Sequence, residues 1–328
     1  MPVPATVRAR RGAWHPEEVR PIAPPGHSHH HPPTVSGRHR WRLAVVLALT
    51  LTVLVAEVVG SALSGSLALL SDAGHMATDA AGLGLALAAT RLAARAPTET
   101  RTFGLARVEI LAALVNGLLV LAVGVAVVTG GIDRLIRPAT VEPASMTAIA
   151  AAGLVVNVIG LVLLRGPSSQ SLNLRGAYLE VMGDLLGSVA VLVAGAVIAT
   201  TGWARADAVA SLVIGLLIAP RAYSLLREVV HVLLEGVPRS VDMAEVRRHL
   251  AEVPGVREVH DLHAWTITSG APALMAHVVV TPEAFAPDAY HLLLDRLRDC
   301  LHGHFDVTHS TFQVEPVGHT DPGEAAHA

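Results

Sequence analysis

Two stretches decide the fold of this chain: SLALLSDAGHMATDAAGLGLALAAT at residues 66–90 and GAYLEVMGDLLGSVAVLVAGAV at residues 176–197. Each is long and apolar enough to cross a membrane, yet each carries two ionisable side chains at spacing i, i+4: His75 with Asp79, and Glu180 with Asp184. This spacing puts both members of a pair on one helix face. A carboxylate at the centre of a membrane helix costs about 2.5–3.5 kcal/mol. The four groups are therefore expected to face each other and to surround a divalent metal ion.

The composition is that of a membrane protein. Of the 328 residues, 52% are hydrophobic and 16% are charged, whereas soluble domains carry about 25% charged residues. The net charge of −3 and the lack of a basic patch indicate no nucleic-acid partner. The single cysteine, Cys300, excludes an internal disulfide framework and a cysteine-based zinc ribbon. We expect Cys300 to be a packing residue of the last helix and not a ligand.

Six apolar runs have about the length that a membrane helix needs. Arginines cluster before the first run, between the second and third, and between the fourth and fifth. We also place Arg221 and Arg227 after the sixth run. Positive residues mark the cytoplasmic side of a membrane, so this pattern predicts a multi-pass protein of the cell membrane with both termini in the cytoplasm. The runs lie at residues 43–63, 66–90, 108–131, 144–164, 177–201 and 207–226.

The composition changes to that of a small soluble domain after residue 235. An amphipathic helix from about Met243, strands near 256–268 and 273–281, a second helix through Tyr290 and Leu301, and a strand near 307–315 give the order αββαβ. The predicted fold class is thus an α-helical membrane protein with six transmembrane helices and a C-terminal cytoplasmic α+β domain.

The predicted organisation has four parts. A transmembrane domain spans residues 41–235 and the cytoplasmic domain spans residues 236–316, while residues 1–40 and 317–328 are expected to be disordered. The N-terminal segment carries a short histidine tract, which can either collect metal at low affinity or be a solvated loop. The tract comprises His27, His29, His30 and His31.

Several segments resemble the cation diffusion facilitator family of metal exporters, over about residues 42–316. They are VAEVVGSALSGSLALLSDAGHMATD, FGLARVEILAALVNG, AYLEVMGDLLGSV, DAVASLVIGLLI and VHDLHAWTITSG. The resemblance implies a homodimer that expels zinc or a related divalent ion from the cytoplasm in exchange for protons, and no catalytic cofactor. It also implies that His75, Asp79, Glu180 and Asp184 form the transport site.

One position departs from the zinc-selective branch of that family, which usually has histidine where this chain has Glu180. The manganese branch resembles Asn-x-x-x-Asp with Asp-x-x-x-Asp and lacks the imidazole altogether. His75 therefore favours zinc over manganese, while Glu180 leaves cobalt, iron and cadmium open. Zinc is the expected substrate, and the family resemblance also implies zinc as a regulatory ion of the cytoplasmic domain.

The resemblance places regulatory zinc sites at VHDLHAW, AHVVV and HSTFQVE. Extended residues rise about 3.3 Å each, so His309 and Glu315 would lie roughly 20 Å apart on one straight strand. His260 and His263 would point to opposite faces if their segment stays extended. The preferred set is His260, His277 and Glu315, with His263 and His309 as secondary candidates.

Two further acidic residues lie within the apolar runs. Asp72 is one turn before His75 and is either an acceptor that orients its ring or a residue at the membrane interface. Glu57, in the first run, is expected either to hydrogen-bond a neighbouring helix or to handle protons.

Two other classes of function are compatible with the same ligands. One is an intramembrane metal-dependent hydrolase, which the lack of a His-Glu-x-x-His helix disfavours. The other is a membrane metal sensor, which lacks a recognisable signalling domain. A proton-coupled transporter is therefore the main hypothesis, and it is not an enzyme.

Overall fold

A computed structural model describes residues 37–165, 172–307 and 309–319 of the chain. The N-terminal histidine tract and most of the two segments expected to be disordered lie outside these residues. The first helix begins at Gly37, four residues inside the segment predicted as disordered up to residue 40. Six long helices come first: α1 (Gly37–Ser64), α2 (Leu67–Ala93), α3 (Val108–Ile136), α4 (Pro143–Arg165), α5 (Leu172–Thr201) and α6 (Arg205–Leu233).

Five of these helices are apolar and long enough to cross a membrane, namely the segments Val45–Ser64, Val108–Ile136, Pro143–Arg165, Tyr178–Thr201 and Arg205–Leu233. The remaining helix, α2, has 27 residues and so is about 40 Å long. It is more polar because it carries the ionisable residues noted above. The first half of α2 is largely buried where the helix packs against its neighbours α1, α3, α5 and α6, whereas Leu83 and Leu87 in its second half are exposed.

Small residues let α2 and α5 approach closely. A Cβ atom at Gly187 of α5 would lie 2.3 Å from Oδ1 of Asp72 on α2, so a larger residue there would push the helices apart. Asp72 itself is only 1% exposed. Close helix contact of this kind brings polar groups of neighbouring membrane helices within reach of each other.

The first turn of α2 is held by Asp207 of α6. This buried carboxylate accepts hydrogen bonds from Ser66 Oγ (2.5 Å), from the backbone N–H groups of Leu67 (2.8 Å) and Ala68 (3.1 Å), and from Arg134 Nη1 of α3 (3.1 Å). It therefore satisfies backbone donors that a helix start leaves unpaired. Because α6 leads from here towards the C-terminal domain, this anchor lies at the end of the bundle that is farthest from that domain.

The C-terminal domain consists of α7 (Met243–Ala251), β1 (Val256–Thr268), β2 (Ala271–Val280), a 3₁₀ turn, α8 (Pro287–Phe305) and β3 (His309–Pro316). The predicted αββαβ order is confirmed. The strand order is β1-β2-β3, with β1 antiparallel and β3 parallel to the central β2.

The two helices of this domain cover one face of its sheet. Val246 of α7, Val278 of β2 and Leu297 of α8 are fully buried in the shared core. Because side chains alternate along a strand, His277 lies on the other face, next to its paired residue His260. The face that the helices leave uncovered therefore carries the candidate metal ligands.

The C-terminal domain contacts the connection between α2 and α3. Thr268 Oγ1 donates a 2.5 Å hydrogen bond to Glu109 Oε2 in the first turn of α3. Just after α6, Glu235 Oε1 lies 3.0 Å from Arg107 Nη2 at the end of the α2–α3 connection. The Phe103 ring also packs edge-on against His309 with centroids 5.2 Å apart. This side of the bundle therefore faces the same compartment as the domain.

We predict that Asp207→Ala strongly lowers the stability of the bundle. The change removes the carboxylate that accepts from the backbone N–H groups of Leu67 and Ala68 and pairs with Arg134, which then keeps only the Gly65 carbonyl oxygen. The loss costs about 3 kcal/mol. The apparent melting temperature of the full-length protein in detergent should fall clearly below that of the wild type. Asp133→Ala is the matched control, because Asp133 is an exposed residue near the end of α3. Equal melting temperatures for the two variants would contradict the anchoring role.

Candidate metal centres

The paired ionisable residues of α2 and α5 face the same region inside the bundle. His75 Nε2 lies 3.7 Å from Asp79 Oδ2, and both side chains are largely buried. Asp184 is 4% exposed, and its carboxyl group interacts electrostatically with both Asp79 and Glu180. The two i, i+4 pairs thus lie on the helix faces that α2 and α5 turn towards each other and towards Arg221.

A guanidinium group lies between the two helices at this level. Arg221 of α6 donates from Nη1 to Asp79 Oδ2 at 2.9 Å and from Nη2 to Glu180 Oε1 at 3.0 Å. The sequence interpretation counted Arg221 as a charge beyond the sixth run, and this was wrong. Residue 221 falls within the predicted run 207–226. An arginine inside an apolar run is the sequence signal that could have indicated a residue of the site.

Several ligand atoms in this region are buried without a hydrogen-bond partner among the described residues. They include His75 Nδ1, Asp184 Oδ1 and Asp72 Oδ2. Because Nδ1 of His75 has no partner among the described residues, the structure does not show Asp72 orienting the His75 ring, which was one of its two predicted roles. Buried polar atoms without partners are costly, and a cation that contacts them would remove this cost.

The four ligands are not closed around a single point in this conformation. Among the described residues, the groups of three or more ligands whose atoms lie within 4.8 Å of one another are both in the C-terminal domain. In the membrane domain, Arg221 instead holds Asp79 and Glu180. The site has the donors for a metal ion, and a guanidinium bridges two of them.

A second layer of carboxyl groups lies behind the site. Glu57 of α1 is 1% exposed and interacts electrostatically with Asp72 and Asp184. Neither Glu57 oxygen has a hydrogen-bond partner among the described residues. Charged carboxylates are costly in an apolar interior unless they are paired, so this second layer adds to the electrostatic cost of the site.

A cavity of about 320 Å³ lies between the site and the C-terminal domain. It begins at Gly82, one turn from Asp79, and reaches Ser269 in the β1–β2 turn. Asn116 lines it, and its Oδ1 atom is buried without a partner among the described residues. The other walls of the cavity are mostly small apolar residues of α2 and α3, and none of the four paired ligands lines it.

Three of the predicted cytoplasmic ligands meet on the uncovered sheet face. His260 Nε2 lies 3.3 Å from Glu315 Oε2, and His277 Nδ1 lies 2.9 Å from Glu315 Oε1. These three residues have ligand atoms close enough to share one metal ion. Glu315 is 2% exposed, so a buried carboxylate is held between two imidazoles.

The secondary candidates differ in their placement. The pairing register shifts between His260 and His263, and Asp261 between them has a φ of +46°. The segment therefore does not stay extended, and the bulge puts both histidines on one face of the sheet. Asp261 reaches His263 Nε2 at 2.9 Å and His277 Nε2 at 3.5 Å. His309 instead contacts Phe103 and is not part of the cluster.

Comparisons with known proteins identify both parts of the chain. Residues 43–234 match the family model "Cation efflux transmembrane domain" and residues 238–317 match "Cation efflux protein, cytoplasmic domain". The metal cation efflux system protein CzcD of Cupriavidus metallidurans is 45% identical over 290 residues, covering 88% of this chain and 90% of that protein. The zinc transporter ZitB of Escherichia coli is 40% identical over 312 residues, covering 92% and 98%.

Two further matches were found. The cadmium, cobalt and zinc/H(+)-K(+) antiporter of Bacillus subtilis is 35% identical over 296 residues, covering 90% of this chain and 93% of that protein. Among solved structures, the metal-bound C-terminal domain of the CzcD transporter from C. metallidurans is 43% identical with a TM-score of 0.21. The match covers 23% of this chain and 99% of the chain in the solved structure.

We predict that Arg221→Met tightens metal binding in the membrane domain. An incoming ion no longer has to displace two charge-assisted hydrogen bonds, which are worth on the order of 1 kcal/mol at a partly exposed pair, so affinity should rise roughly fivefold. Zinc affinity is measured by competition with a fluorescent chelator. The membrane site is identified as the binding phase that is lost in Asp184→Asn. Arg227→Met, an exposed arginine of the same helix, should leave the affinity unchanged. Weaker binding in Arg221→Met would show that Arg221 supports the ion and does not compete with it.

Proposed function

Because this chain belongs to the cation efflux family, we propose that it exports divalent metal cations, foremost zinc, in exchange for protons. The carrying observation is the set of buried, unpaired ligand atoms on α2 and α5, which lies beside a guanidinium that bridges two of the ligands. The printed names of the relatives, which include metal cation efflux, zinc transport and zinc/H(+) antiport, support this proposal.

Charge explains why export is coupled to protons. A zinc ion bound by His75 and the three carboxylates leaves a local charge near −1, which the nearby Arg221 guanidinium brings close to zero. Without the ion, the carboxylates and the guanidinium together carry about −2, and Glu57 and Asp72 would make this more negative. Net charge of this size is not tolerated in an apolar interior. The empty site therefore takes up protons, and metal and protons alternate because ligation needs deprotonated groups.

Arg221 would act in this cycle as a tethered cation. When no metal is bound, its guanidinium neutralises Asp79 and Glu180 and links α2, α5 and α6. An ion arriving through the cavity that begins at Gly82 would displace Arg221 from both carboxylates. Release towards the opposite side would let Arg221 return, as alternating access around a fixed site requires.

The proposed setting is the cell membrane, with both chain termini in the cytoplasm and two copies of the chain in a homodimer. The contacts of Thr268 with Glu109 and of His309 with Phe103 support a common side for the C-terminal domain and the α2–α3 connection. The match to the family's cytoplasmic domain supports the cytoplasm as that side. Lipid surrounds the apolar faces of the bundle, and the metal ion and protons are the other partners.

The ligand set favours zinc without restricting the site to it. One imidazole among the ligands disfavours magnesium and calcium, which prefer oxygen shells. Glu180 in place of a second imidazole makes the site more anionic and leaves cobalt, cadmium and iron as further substrates. The alternatives of a hydrolase and a membrane sensor find no support, because the family and the named relatives are efflux proteins and antiporters.

We further infer that His260, His277 and Glu315 bind a regulatory zinc ion. The two imidazoles and the buried carboxylate have the spacing that a shared ion needs, and Asp261 extends the cluster to His263. The adjoining domain surface contacts the α2–α3 connection. Binding at this sheet face would therefore bias the position of helices that carry the transport site.

We expect Asp184→Asn to abolish zinc flux. The change keeps the size of the side chain but removes a charge that the ion needs, so uptake into proteoliposomes with a trapped zinc indicator should fall to the level of protein-free liposomes. Asp133→Asn makes the same chemical change at an exposed position and should transport normally. The same assay with cobalt, cadmium, iron and manganese determines the substrate range. Wild-type flux in a well-folded Asp184→Asn protein would refute the transport site.

His277→Ala should lower the amount of zinc bound at equilibrium by one ion per chain while leaving a functional membrane site. Dialysis of the full-length protein against zinc, followed by metal analysis, measures this directly. His309→Ala is the matched control, since it removes a histidine that lies outside the cluster and against Phe103. The inference fails if both variants bind as much zinc as the wild type.

A further inference from the structure

A third group of metal-ligand side chains lies where α7 meets α8, on the helical side of the C-terminal domain. His249 is in the last turn of α7, and Cys300 and His304 are one turn apart near the end of α8. Each offers a ligand atom, and these atoms all lie within 4.8 Å of one another. The sheet separates this α7–α8 cluster from the ligands around His277.

We propose that the α7–α8 cluster is a second metal site of the cytoplasmic domain, with Zn²⁺, Co²⁺ or Cd²⁺ as its ligand. One thiolate and two imidazoles are the donors that such borderline and soft ions prefer, whereas Mg²⁺ and Ca²⁺ require oxygen shells. Cys300 was expected to be a packing residue only. It does contact the domain core, but its sulfur is also part of this cluster.

The geometry requires little adjustment. Donor atoms in a tetrahedral zinc site lie roughly 3.5 Å apart, because the bonds are about 2.0–2.3 Å long. The present separations, up to 4.8 Å, can close through side-chain rotation. His304 Nδ1 donates a 3.0 Å hydrogen bond to the Cys300 carbonyl oxygen, which leaves the Nε2 lone pair for an ion. The rings of His249 and His304 already lie 4.8 Å apart between centroids.

The surroundings favour a cation. Both helices end here, and the C-terminal end of a helix carries partial negative charge. Glu245 Oε1 lies 3.8 Å from His249 Nε2 and is the natural fourth ligand. Arg248 pairs with Glu245 at 3.6 Å and with Glu252 at 3.1 Å, so the acidic charge is partly balanced before an ion arrives.

The thiol is the natural probe of this site. Burial, and secondarily Glu252, raise the pKa of the Cys300 thiol, so the metal-free side chain is protonated and alkylates slowly at neutral pH. A bound metal ion would hold the sulfur as thiolate and release a proton. Because the chain has one cysteine, any thiol or thiolate signal from the full-length protein reports this site alone.

The test uses the full-length protein in detergent. Co²⁺ should produce a near-ultraviolet thiolate-to-cobalt absorption band, and Zn²⁺ should slow alkylation of Cys300 by iodoacetamide at mildly alkaline pH by roughly tenfold. Cys300→Ser should remove the band. His249→Ala and His304→Ala should each abolish the protection, whereas His277→Ala, which alters the ligands on the other sheet face, should leave band and protection intact.

Two results would overturn the proposal. One is a wild-type protein with no cobalt band and the same alkylation rate with and without zinc. The other is protection that persists in both His249→Ala and His304→Ala, since zinc would then act from elsewhere. The readouts do not depend on transport, and Asp184→Asn should retain the cobalt band. A failure of this site is therefore distinguishable from a failure of the proposed export function.

Discussion

The structure depends on the cost of placing carboxylates within an apolar bundle. Asp79, Glu180 and Asp184 lie where charge is tolerated only if a cation or a proton accompanies it. In the described conformation the Arg221 guanidinium provides part of that charge by bridging Asp79 and Glu180. The same requirement makes the site suitable for transport, because a divalent ion, a guanidinium and protons can replace one another there.

The rest of the fold keeps these groups in place. Asp207 and Arg134 fix the start of α2, and Arg221 lies fourteen residues further along α6 than Asp207, about 20 Å along its axis. The site is therefore near the middle of the bundle and is anchored from one end. At the other end, Thr268 of the C-terminal domain contacts Glu109 of α3. Metal binding on the sheet of that domain would act on the bundle through this contact.

Much of this could be predicted from the sequence because the deciding signals are local. The lengths of the apolar runs predicted the membrane helices, and the i, i+4 spacing predicted the ligand pairs of α2 and α5. The periodicity of apolar residues after residue 235 predicted the αββαβ domain. The features that were missed depend on contacts between distant segments or on unusual backbone geometry. Arg221 reaches the site because α6 continues to Leu233, and the positive φ of Asp261 reorients His263. The partners of Cys300 include a residue from another helix, which no local pattern indicates.

The central claim is that a transported metal ion and Arg221 occupy the same carboxylates in turn. It is tested most directly by an experimental structure of the zinc-loaded, full-length protein in a lipid environment. We predict metal density among His75, Asp79, Glu180 and Asp184, with the Arg221 guanidinium withdrawn from both carboxylates. Zinc bound by the four ligands while Arg221 still bridges Asp79 and Glu180, or a membrane domain that takes up no zinc there, would contradict the account.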